Sequence, residues 1–298
     1  MMEREFTLSF EGLTEETSLA LVRQIRCCEV VTPLSERAIA TTYVRQSPTQ
    51  PPADDLPLLL LHGFDSSVLE FRRLLPLLAE HRTTWAIDLL GFGFTERRPD
   101  LPFSPAAIKT HLYYTWKTLI NRPVVLVGAS MGGAAAIDFA LTYPEVVSHL
   151  ILLNSAGYSA GPMLGKYLFS PLDRWAAGVL ARPKVRQDVA LKAYHDPRFA
   201  SDDAYHCGAL HLTQPGWLAA LAAFTRSGGY GSFKDQLKSL RPPTLILWGR
   251  SDRILGTQDA LRFFQTIPHS RLVWIEASGH LPHLEQARET AKHILEFL

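Results

Sequence analysis

Short runs of consecutive apolar residues recur along the chain, and each has the length of a buried β-strand. Strands that are apolar on both faces are typical of a parallel sheet covered by helices on each side. Between several of these runs the sequence turns helical, as in residues 69–80 and in a helix that starts at Ser104-Pro105 and is predicted to end near Ile120. This alternation predicts an α/β fold with a mostly parallel, doubly wound sheet. The strands predicted for the sheet are residues 58–61, 84–87, 124–127, 147–153, 244–248 and 272–275, and further helices are predicted at residues 134–141 and 285–297.

The alternation stops after the fourth of these strands and resumes only at the fifth. The stretch between them is helical and aromatic in composition, and prolines and glycines divide it into short pieces. We therefore predict an inserted helical cap over residues 158–240. The α/β core then comprises residues 1–157 and 241–298.

One part of the predicted cap, residues 217–224, is apolar nearly all round and is therefore expected to be buried. We expect it both to pack the cap onto the core and, in part, to line an apolar substrate cavity. Three aromatic residues fit a cavity wall and the core equally well: Tyr158, Trp175 and Trp217.

The first 50 residues are predicted to be an accessory segment without chemistry of its own. Thr14 is a suitable N-cap for a helix with acidic residues in its first turn. Two β-branched stretches at residues 28–32 and 39–44 are predicted strands, and a polar, proline-rich loop covers residues 47–55.

A serine lies at the sharp turn that follows the apolar run at residues 124–127. The turn reads GASMG over residues 128–132, which is the G-x-S-x-G spacing of a nucleophile elbow. The serine of such a turn has a strained backbone, so the positions two before and two after it must be small, or strand and helix collide. An ordinary strand-to-helix turn could show the same five letters. The apolar strand before it and the helical run after it favour the elbow, with Ser130 as nucleophile.

The loop after the predicted strand at residues 58–61 is a candidate oxyanion site. The strand ends in His62-Gly63-Phe64, and a glycine directly after a central strand lets the next backbone N–H point into the site. The Phe64 N–H is one candidate donor, and the Met131 N–H is the second. His62 is interpreted as a structural histidine whose ring bonds the loop backbone.

Two further polar residues, Asp252 and His280, also follow apolar strands directly. Because parallel strands bind ligands at their carboxyl ends, we expect both to lie near Ser130. Gly279 lets the loop of His280 bend inward. His283 is interpreted as a neighbour that shapes this loop.

Other acidic residues fit the role of Asp252 less well. Asp259 lies inside a predicted helix, and Glu276 is too close to its own strand to reach the histidine. Asp88 precedes the nucleophile strand and is interpreted as an acid that orders its loop by accepting backbone N–H groups. The strand end after the elbow offers no acid, since Asn154 and Ser155 occupy it.

Composition restricts the class of protein. A chain of 298 residues with 47% hydrophobic and 20% charged residues suits one large globular α/β domain with an insertion. A net charge of +1 gives no electrostatic reason to expect nucleic acid or an anionic membrane as a partner. Three cysteines without C-x-x-C spacing, Cys27, Cys28 and Cys207, favour free buried thiols over a disulfide framework or a zinc site.

The first residues, MMEREFTLSFEG, carry early acidic residues and no apolar core, so we expect no signal peptide. No apolar run approaches the roughly 20 residues that span a bilayer. We expect a cytoplasmic protein with no transmembrane segment that uses no cofactor and no metal.

Taken in order, these motifs resemble the α/β-hydrolase superfamily with a helical cap, from about residue 39 to the end. The matching pieces are HGF at 62–64, DLLGFG at 88–93, GASMGG at 128–133, WGRSD at 248–252 and SGHLPHLE at 278–285. The chain order Ser, Asp, His is also that of this superfamily. The resemblance implies Ser130 as nucleophile, His280 as general base and then acid, and Asp252 as the residue that orients His280. The amides of Phe64 and Met131 would form the oxyanion hole.

Differences between the motifs of this chain and those of other enzymes of this fold restrict the reactions that we expect it to catalyse. Epoxide hydrolases and haloalkane dehalogenases use an aspartate at the elbow, so Ser130 excludes their covalent chemistry. Proline iminopeptidases usually carry Trp after the nucleophile, where this chain has Met131. Carbon–carbon bond hydrolases typically show a glycine-richer oxyanion loop than HGFDSS at residues 62–67.

The first hypothesis is a serine hydrolase that cleaves a small carboxylic ester with an apolar acyl or alcohol part through an acyl-enzyme. The alternative is a carbon–carbon bond hydrolase or a perhydrolase with the same triad. A hypothesis of another class is a small-molecule receptor with little turnover, because the fold alone does not decide function.

Overall fold

The computed structural model describes residues 3–5, 10–50, 52, 55–159 and 177–298 of the chain. Its strands are β1 (Glu3–Glu5), β2 (Arg26–Val30), β3 (Ile39–Gln46), β4 (Leu58–Leu61), β5 (Thr84–Ile87), β6 (Val124–Ala129), β7 (Val147–Leu153), β8 (Thr244–Gly249) and β9 (Ser270–Ile275). The described strands form a nine-stranded sheet in the order β1-β2-β3-β5-β4-β6-β7-β8-β9. Strands β4 to β9 pair in parallel, whereas β1, β2 and β3 pair antiparallel. The predicted, mostly parallel α/β sheet is confirmed.

Apolar clusters cover both faces of this sheet. Within β4, Leu58 and Leu60 belong to one buried cluster, and Leu59 and Leu61 belong to the other, because successive side chains of a strand point to opposite faces. The helices that lie wholly in the described residues are α1 (Glu16–Val22), α2 (Leu74–Ala79), α3 (Pro105–Leu119), α4 (Met131–Thr142), α5 (Pro183–Ala193), α6 (Asp202–Ala209), α7 (Trp217–Arg226), α8 (Gln258–Thr266), α9 (Pro282–Glu285) and α10 (Ala287–Phe297). The sheet is therefore doubly wound.

One predicted helix is divided in two. Residues 69–80 form a 3₁₀ turn, Val68–Phe71, followed by α2, instead of a continuous helix. Pro76 lies in the first turn of α2, where its missing N–H removes no helical hydrogen bond. A helix that started at residue 69 would place Pro76 in its interior, where the ring would clash with the preceding turn. The last predicted helix, residues 285–297, begins two residues later as α10, and the short helix α9 ends at residue 285.

The prediction that Thr14 caps the first helix is wrong. The N-cap residue of α1 is Glu15, which makes no side-chain capping bond. The backbone N–H groups of Thr14 and Glu15 instead donate to the carboxylate of Asp203, at 2.6 and 2.8 Å. Asp203 of α6, nearly 190 residues later in the chain, thus holds the start of α1. This contact connects the accessory segment to the predicted helical insertion.

The segment predicted to be an inserted cap, residues 158–240 and called the insertion below, lies in the chain between two strands that are neighbours in the sheet. Strands β7 and β8 flank it and pair directly, with Leu150 opposite Thr244. In its described residues, 158–159 and 177–240, the insertion contains α5, α6, α7 and 3₁₀ turns, and no strand. Helix α7 is buried on one side only, since Leu221 is buried whereas Leu218 is 37% exposed. Trp175 lies outside the described residues.

The three cysteines are buried and unbridged, as predicted for free thiols. Among the described helices, none combines the length and the apolar character that crossing a bilayer requires.

Candidate active site

Ser130 lies at the junction of β6 and α4 with a left-handed backbone, φ 52° and ψ −118°. Positive φ is strained for a residue with a side chain, and here the close approach of strand and helix imposes it. A Cβ atom at Gly128 would collide with the backbone of Gly132, and one at Gly132 would collide with the carbonyl of Leu61. The small residues of the motif are therefore a steric requirement of the elbow, as the sequence predicted.

Asp252 and His280 are in direct contact. The Nδ1 atom of His280 lies 2.9 Å from Oδ2 of Asp252, while Oδ1 accepts the N–H groups of Ile254 and Leu255 at 2.8 and 3.0 Å. Burial by itself would raise the pKa of Asp252, but its bonds to His280 and to Asn154 outweigh burial and hold the pKa below its usual value. An ionised Asp252 keeps the proton of the imidazole on Nδ1 and leaves Nε2 free to accept one.

Asn154, at the end of β7, supports this acid, and the sequence analysis missed its role. Its Nδ2 atom donates to Oδ2 of Asp252 at 2.7 Å, and its Oδ1 atom accepts the N–H of Gly249 at 3.0 Å. Asn154 is fully buried and has a φ of 40°. The sequence does place a polar residue, Asn154, directly after β7, where its side chain can support an acid on the neighbouring strand end.

The loop of His280 is held by the end of α5. The N–H of His280 donates to the carbonyl of Ala193 at 2.6 Å, and a side chain at Gly279 would collide with that carbonyl. The carboxylate of Glu285 accepts the N–H of Gly279 at 2.6 Å and that of His195 at 2.8 Å. Glu285 therefore fixes both the histidine loop and the segment after α5.

Ser130 and His280 line one cavity of about 530 Å³ between the core and the insertion. Gly63 and Phe64 of the loop after β4 line the same cavity. Most of the remaining wall is apolar, and its members include Leu180, Val185, Val189, Ala193, Ile254 and Leu284. A pocket whose wall is mostly apolar, with polar groups among the lining residues, suits a small apolar ligand.

The two candidate oxyanion donors are the amide directly after Ser130 and an amide of the loop after β4. The N–H of Met131 is the first of α4, and neither this N–H nor that of Phe64 has an acceptor in the part of the chain that is described. A Cβ atom at Gly63 would lie 3.4 Å from Cβ of Ser130, so the loop backbone passes close to the serine. A helix N-terminus and a free loop amide together favour negative charge at this point.

His62 and Asp88 have the structural roles that the sequence predicted. Nε2 of His62 accepts the N–H of Leu89 at 3.1 Å, so its proton lies on Nδ1, which donates to the carbonyl of Gly63 at 2.8 Å. The buried carboxylate of Asp88 accepts two backbone N–H groups, from Val68 at 2.8 Å and from Phe94 at 3.0 Å.

The competing acids are occupied elsewhere. Asp259 accepts the N–H and hydroxyl of Ser159, and Glu276 is exposed and paired with Arg250 at 3.1 Å. His283 is buried against another carboxylate, that of Glu70, and not against Asp252.

Neither Tyr158 nor Trp217 lines the cavity. The ring of Tyr158 packs edge-on against Phe263, with centroids 5.4 Å apart, and Trp217 is buried with its Nε1 donating to Asp65 at 2.8 Å. None of the residues at 217–224 is among the cavity walls. For these aromatic residues the structure therefore favours the packing role over the cavity role.

Glu70 is a buried acid under the candidate oxyanion loop. Its Oε2 accepts the N–H of Gly63 at 2.9 Å, and its Oε1 lies 3.1 Å from Nε2 of His283. Burial by itself would raise the pKa of Glu70, but the contact with His283 outweighs burial and lowers the pKa to about 2. The charged carboxylate thus orients the backbone that leads to Phe64.

We expect the free energy of unfolding of Glu70→Gln to decrease less at acidic pH than that of the wild type. A folded-state pKa of about 2 against an ordinary 4.5 contributes stability above pH 4.5 that is lost as the pH falls towards 2. That difference corresponds to about 3 kcal/mol. Urea unfolding at pH 6, 4 and 3 measures it, with exposed Glu276→Gln as the matched control. Parallel profiles of wild type and Glu70→Gln would contradict this assignment.

The parallel sheet, the serine elbow and the Asp–His pair at the carboxyl edge are together typical of α/β-hydrolases. The family model described as the alpha/beta hydrolase family matches residues 58–293, and the chain belongs to that family. The candidate site lies within the matched residues.

Curated relatives carry the names of hydrolases. The alpha/beta hydrolase domain-containing protein VTE7 of Arabidopsis thaliana is 36% identical over 246 residues, which cover 82% of this chain and 74% of VTE7. The 2-hydroxy-6-oxo-2,4-heptadienoate hydrolase of Pseudomonas putida is 30% identical over 251 residues, which cover 81% of this chain and 88% of that protein. A thermophilic esterase from Thermogutta terrifontis has a TM-score of 0.75 at 24% identity, covering 91% of this chain and 97% of the esterase, and this likeness shows the fold alone. The relatives support hydrolase activity.

Proposed function

We propose that this protein is a serine hydrolase that cleaves a carboxylic ester with an apolar acyl or alcohol part. The observation that carries the proposal is the contact of Asp252 with His280 at the wall of an apolar cavity that Ser130 also lines. Ser130 is the nucleophile, His280 the general base and acid, and Asp252 the residue that orients His280. The substrate is a small molecule, and no cofactor is required.

The reaction has two half-reactions. Oγ of Ser130 forms a bond to the carbonyl carbon while His280 takes the hydroxyl proton, and the amides of Phe64 and Met131 stabilise the oxyanion. The bond to the alcohol oxygen then breaks, and His280 returns the proton to the leaving alcohol. A water that His280 deprotonates cleaves the acyl-enzyme, which releases the acid and restores Ser130.

Charges in the cavity support a neutral substrate. Two arginines line it: Nη1 of Arg186 donates to Asp65 at 2.6 Å, whereas Nε of Arg72 lies 3.8 Å from Asp203 and has no hydrogen-bond acceptor among the described residues. A ligand carboxylate at Arg186 would have to displace Asp65, which costs free energy in a buried setting. An uncharged ester meets no such cost.

A carbon–carbon bond hydrolase is the second candidate, and the 30% identical Pseudomonas putida relative favours it. The name of that relative specifies a heptadienoate, which carries a carboxylate. The hydrogen bond between Arg186 and Asp65 argues against binding of such a carboxylate at Arg186. The two candidates therefore differ in the charge of the ligand that the cavity accepts.

Active-site labelling and a substrate comparison test the proposal. We expect a fluorophosphonate probe to label Ser130 alone, as mapped by peptide mass, and p-nitrophenyl esters to turn over faster than a 2-hydroxy-6-oxo-dienoate. A preference for the dienoate would establish the second candidate. Absence of labelling in the folded protein would overturn both hydrolase mechanisms and favour a receptor.

A further inference from the structure

The residue after Phe64, Asp65, has an unusual backbone and an unusual set of partners. Its φ is 49°, a left-handed value that is strained for a residue with a side chain. Its side chain is buried although it is a carboxylate. Strain and a buried charge persist together only where surrounding contacts hold the residue in place.

Among the described residues, all of the side chains that donate to the Asp65 carboxylate come from the predicted cap. Nη1 of Arg186 in α5 donates to Oδ2 at 2.6 Å, and Nε1 of Trp217 in α7 donates to Oδ1 at 2.8 Å. Nε2 of His211, in the 3₁₀ turn Leu210–Thr213, lies 3.1 Å from Oδ1. One carboxylate of the core loop therefore connects to three separate elements of the insertion.

The charges in this cluster are balanced in favour of an ionised Asp65. Burial by itself would raise the pKa of Asp65, but the hydrogen bond from His211 and the guanidinium of Arg186 outweigh burial and hold the pKa below its usual value. Burial lowers the pKa of His211 despite the adjacent carboxylate, so the ring is neutral and its Nε2–H points at Asp65. Arg186 also donates to the carbonyls of Asp65 and Gly208.

Phe64 itself is held by the same insertion. Its ring packs against Phe224 of α7 with centroids 6.2 Å apart, and against Phe92 of the core at 5.8 Å. The insertion thus contacts two consecutive residues of the loop, one through an apolar ring and one through a charged network. The N–H of Phe64 directly precedes both contacts along the chain.

We propose that Asp65 is a positioning residue that fixes the Phe64 amide, so that the oxyanion hole is complete only while Arg186, His211 and Trp217 are seated on it. This role rests on the serine hydrolase function proposed above. Asp65 transfers no proton and forms no bond to the substrate. When the insertion is bound to Asp65, the Asp65 backbone is fixed, and with it the orientation of the Phe64 N–H.

Kinetics of Asp65→Asn separate this role from simple anchoring. The variant keeps the size of the side chain and removes the charge that Arg186 requires. Because a misplaced oxyanion donor weakens only the transition state, we expect kcat for a p-nitrophenyl ester to fall about 10- to 100-fold while KM changes less than about 3-fold. The affinity for an alkyl trifluoromethyl ketone, which forms a tetrahedral adduct with the serine, should fall by a similar factor.

Two further variants complete the design. Trp217→Phe removes only the indole N–H, so it should show the same pattern to a smaller degree even if Asp65→Asn folds poorly. Asp259→Asn is the matched control, because Asp259 also joins the core to the insertion, through Ser159, but touches no part of the loop. We expect Asp259→Asn to keep the wild-type kcat and ketone affinity.

The outcomes distinguish this proposal from the proposed function. If wild-type esterase activity depends on Ser130 but Asp65→Asn and Trp217→Phe match wild type in kcat and ketone affinity, the positioning role is wrong and the hydrolase stands. An equal loss in Asp259→Asn would also overturn it, because the effect would then be general anchoring. If wild-type turnover survives Ser130→Ala, the proposed function itself fails.

Discussion

Replacing Ser130 by alanine should reduce kcat for p-nitrophenyl esters by about 10⁴- to 10⁶-fold. The variant has no oxygen to attack the carbonyl carbon, and its remaining rate would come from the oxyanion amides and from substrate binding alone. KM should change little, because the hydroxyl is one small group in a cavity of about 530 Å³. Steady-state kinetics and loss of fluorophosphonate labelling measure the effect.

Ser155→Ala is the matched control for this experiment. Ser155 is buried beside the elbow, where its hydroxyl donates to the carbonyl of Ala156 at 2.7 Å and does not face the cavity. We expect this control to keep its labelling at Ser130 and a kcat within about 3-fold of wild type. Residual activity of Ser130→Ala near the wild-type level, with labelling moved to another residue, would contradict the assignment of the nucleophile.

Features of the fold that depend on neighbouring residues were predictable from the sequence. The four leucines of β4 form a buried strand, and the Ser104 side chain caps α3 directly before Pro105. The elbow belongs to this group only in part. The collisions that require glycine at 128 are with Gly132 and Gly133, whereas those at 132 are with Leu61 and His62, about 70 residues earlier in the chain. The division of residues 69–80 was also readable in principle, since Pro76 marks it.

Features that depend on distant partners were not predictable in this way. Asn154 reaches Asp252 across 98 residues, Asp65 reaches Arg186 across 121, and Asp203 caps α1 from 189 residues away. A carboxylate whose partner lies so far along the chain leaves no periodic signal in the sequence. Two expectations failed for this reason: that Thr14 caps α1, and that part of residues 217–224 lines the cavity. Both depend on how the insertion packs on the core.

Three buried carboxylates fix the insertion to the rest of the protein. Asp65 and Glu285 are core acids that accept N–H groups from it, and Asp203 belongs to it and accepts N–H groups from the accessory segment. Asp65 acts next to the oxyanion loop, and Glu285 acts next to the loop of His280. The insertion therefore contacts both the candidate oxyanion loop and the loop of His280. Its position over the cavity is thus linked to the geometry of the candidate reacting groups.

The Asp252→Asn variant should lower kcat by about 10³- to 10⁴-fold and leave KM nearly unchanged. The introduced side chain would keep its oxygen towards the N–H groups of Ile254 and Leu255, so its NH₂ group would face His280. An NH₂ group cannot accept the proton of Nδ1, so the imidazole would adopt the other tautomer and Nε2 could no longer take the proton of Ser130.

Asn154 makes this prediction sharper, because its own NH₂ group already donates to Asp252 at 2.7 Å. In Asp252→Asn two NH₂ groups would face each other, so a fall in melting temperature should accompany the loss of kcat. The double variant Asp252→Asn with Asn154→Ala removes that conflict but also the acceptor of the Gly249 N–H, so we expect it to regain part of the stability without regaining turnover. Recovery of kcat together with stability would show that Asp252 acts through the fold alone, and the orienting role would then be wrong.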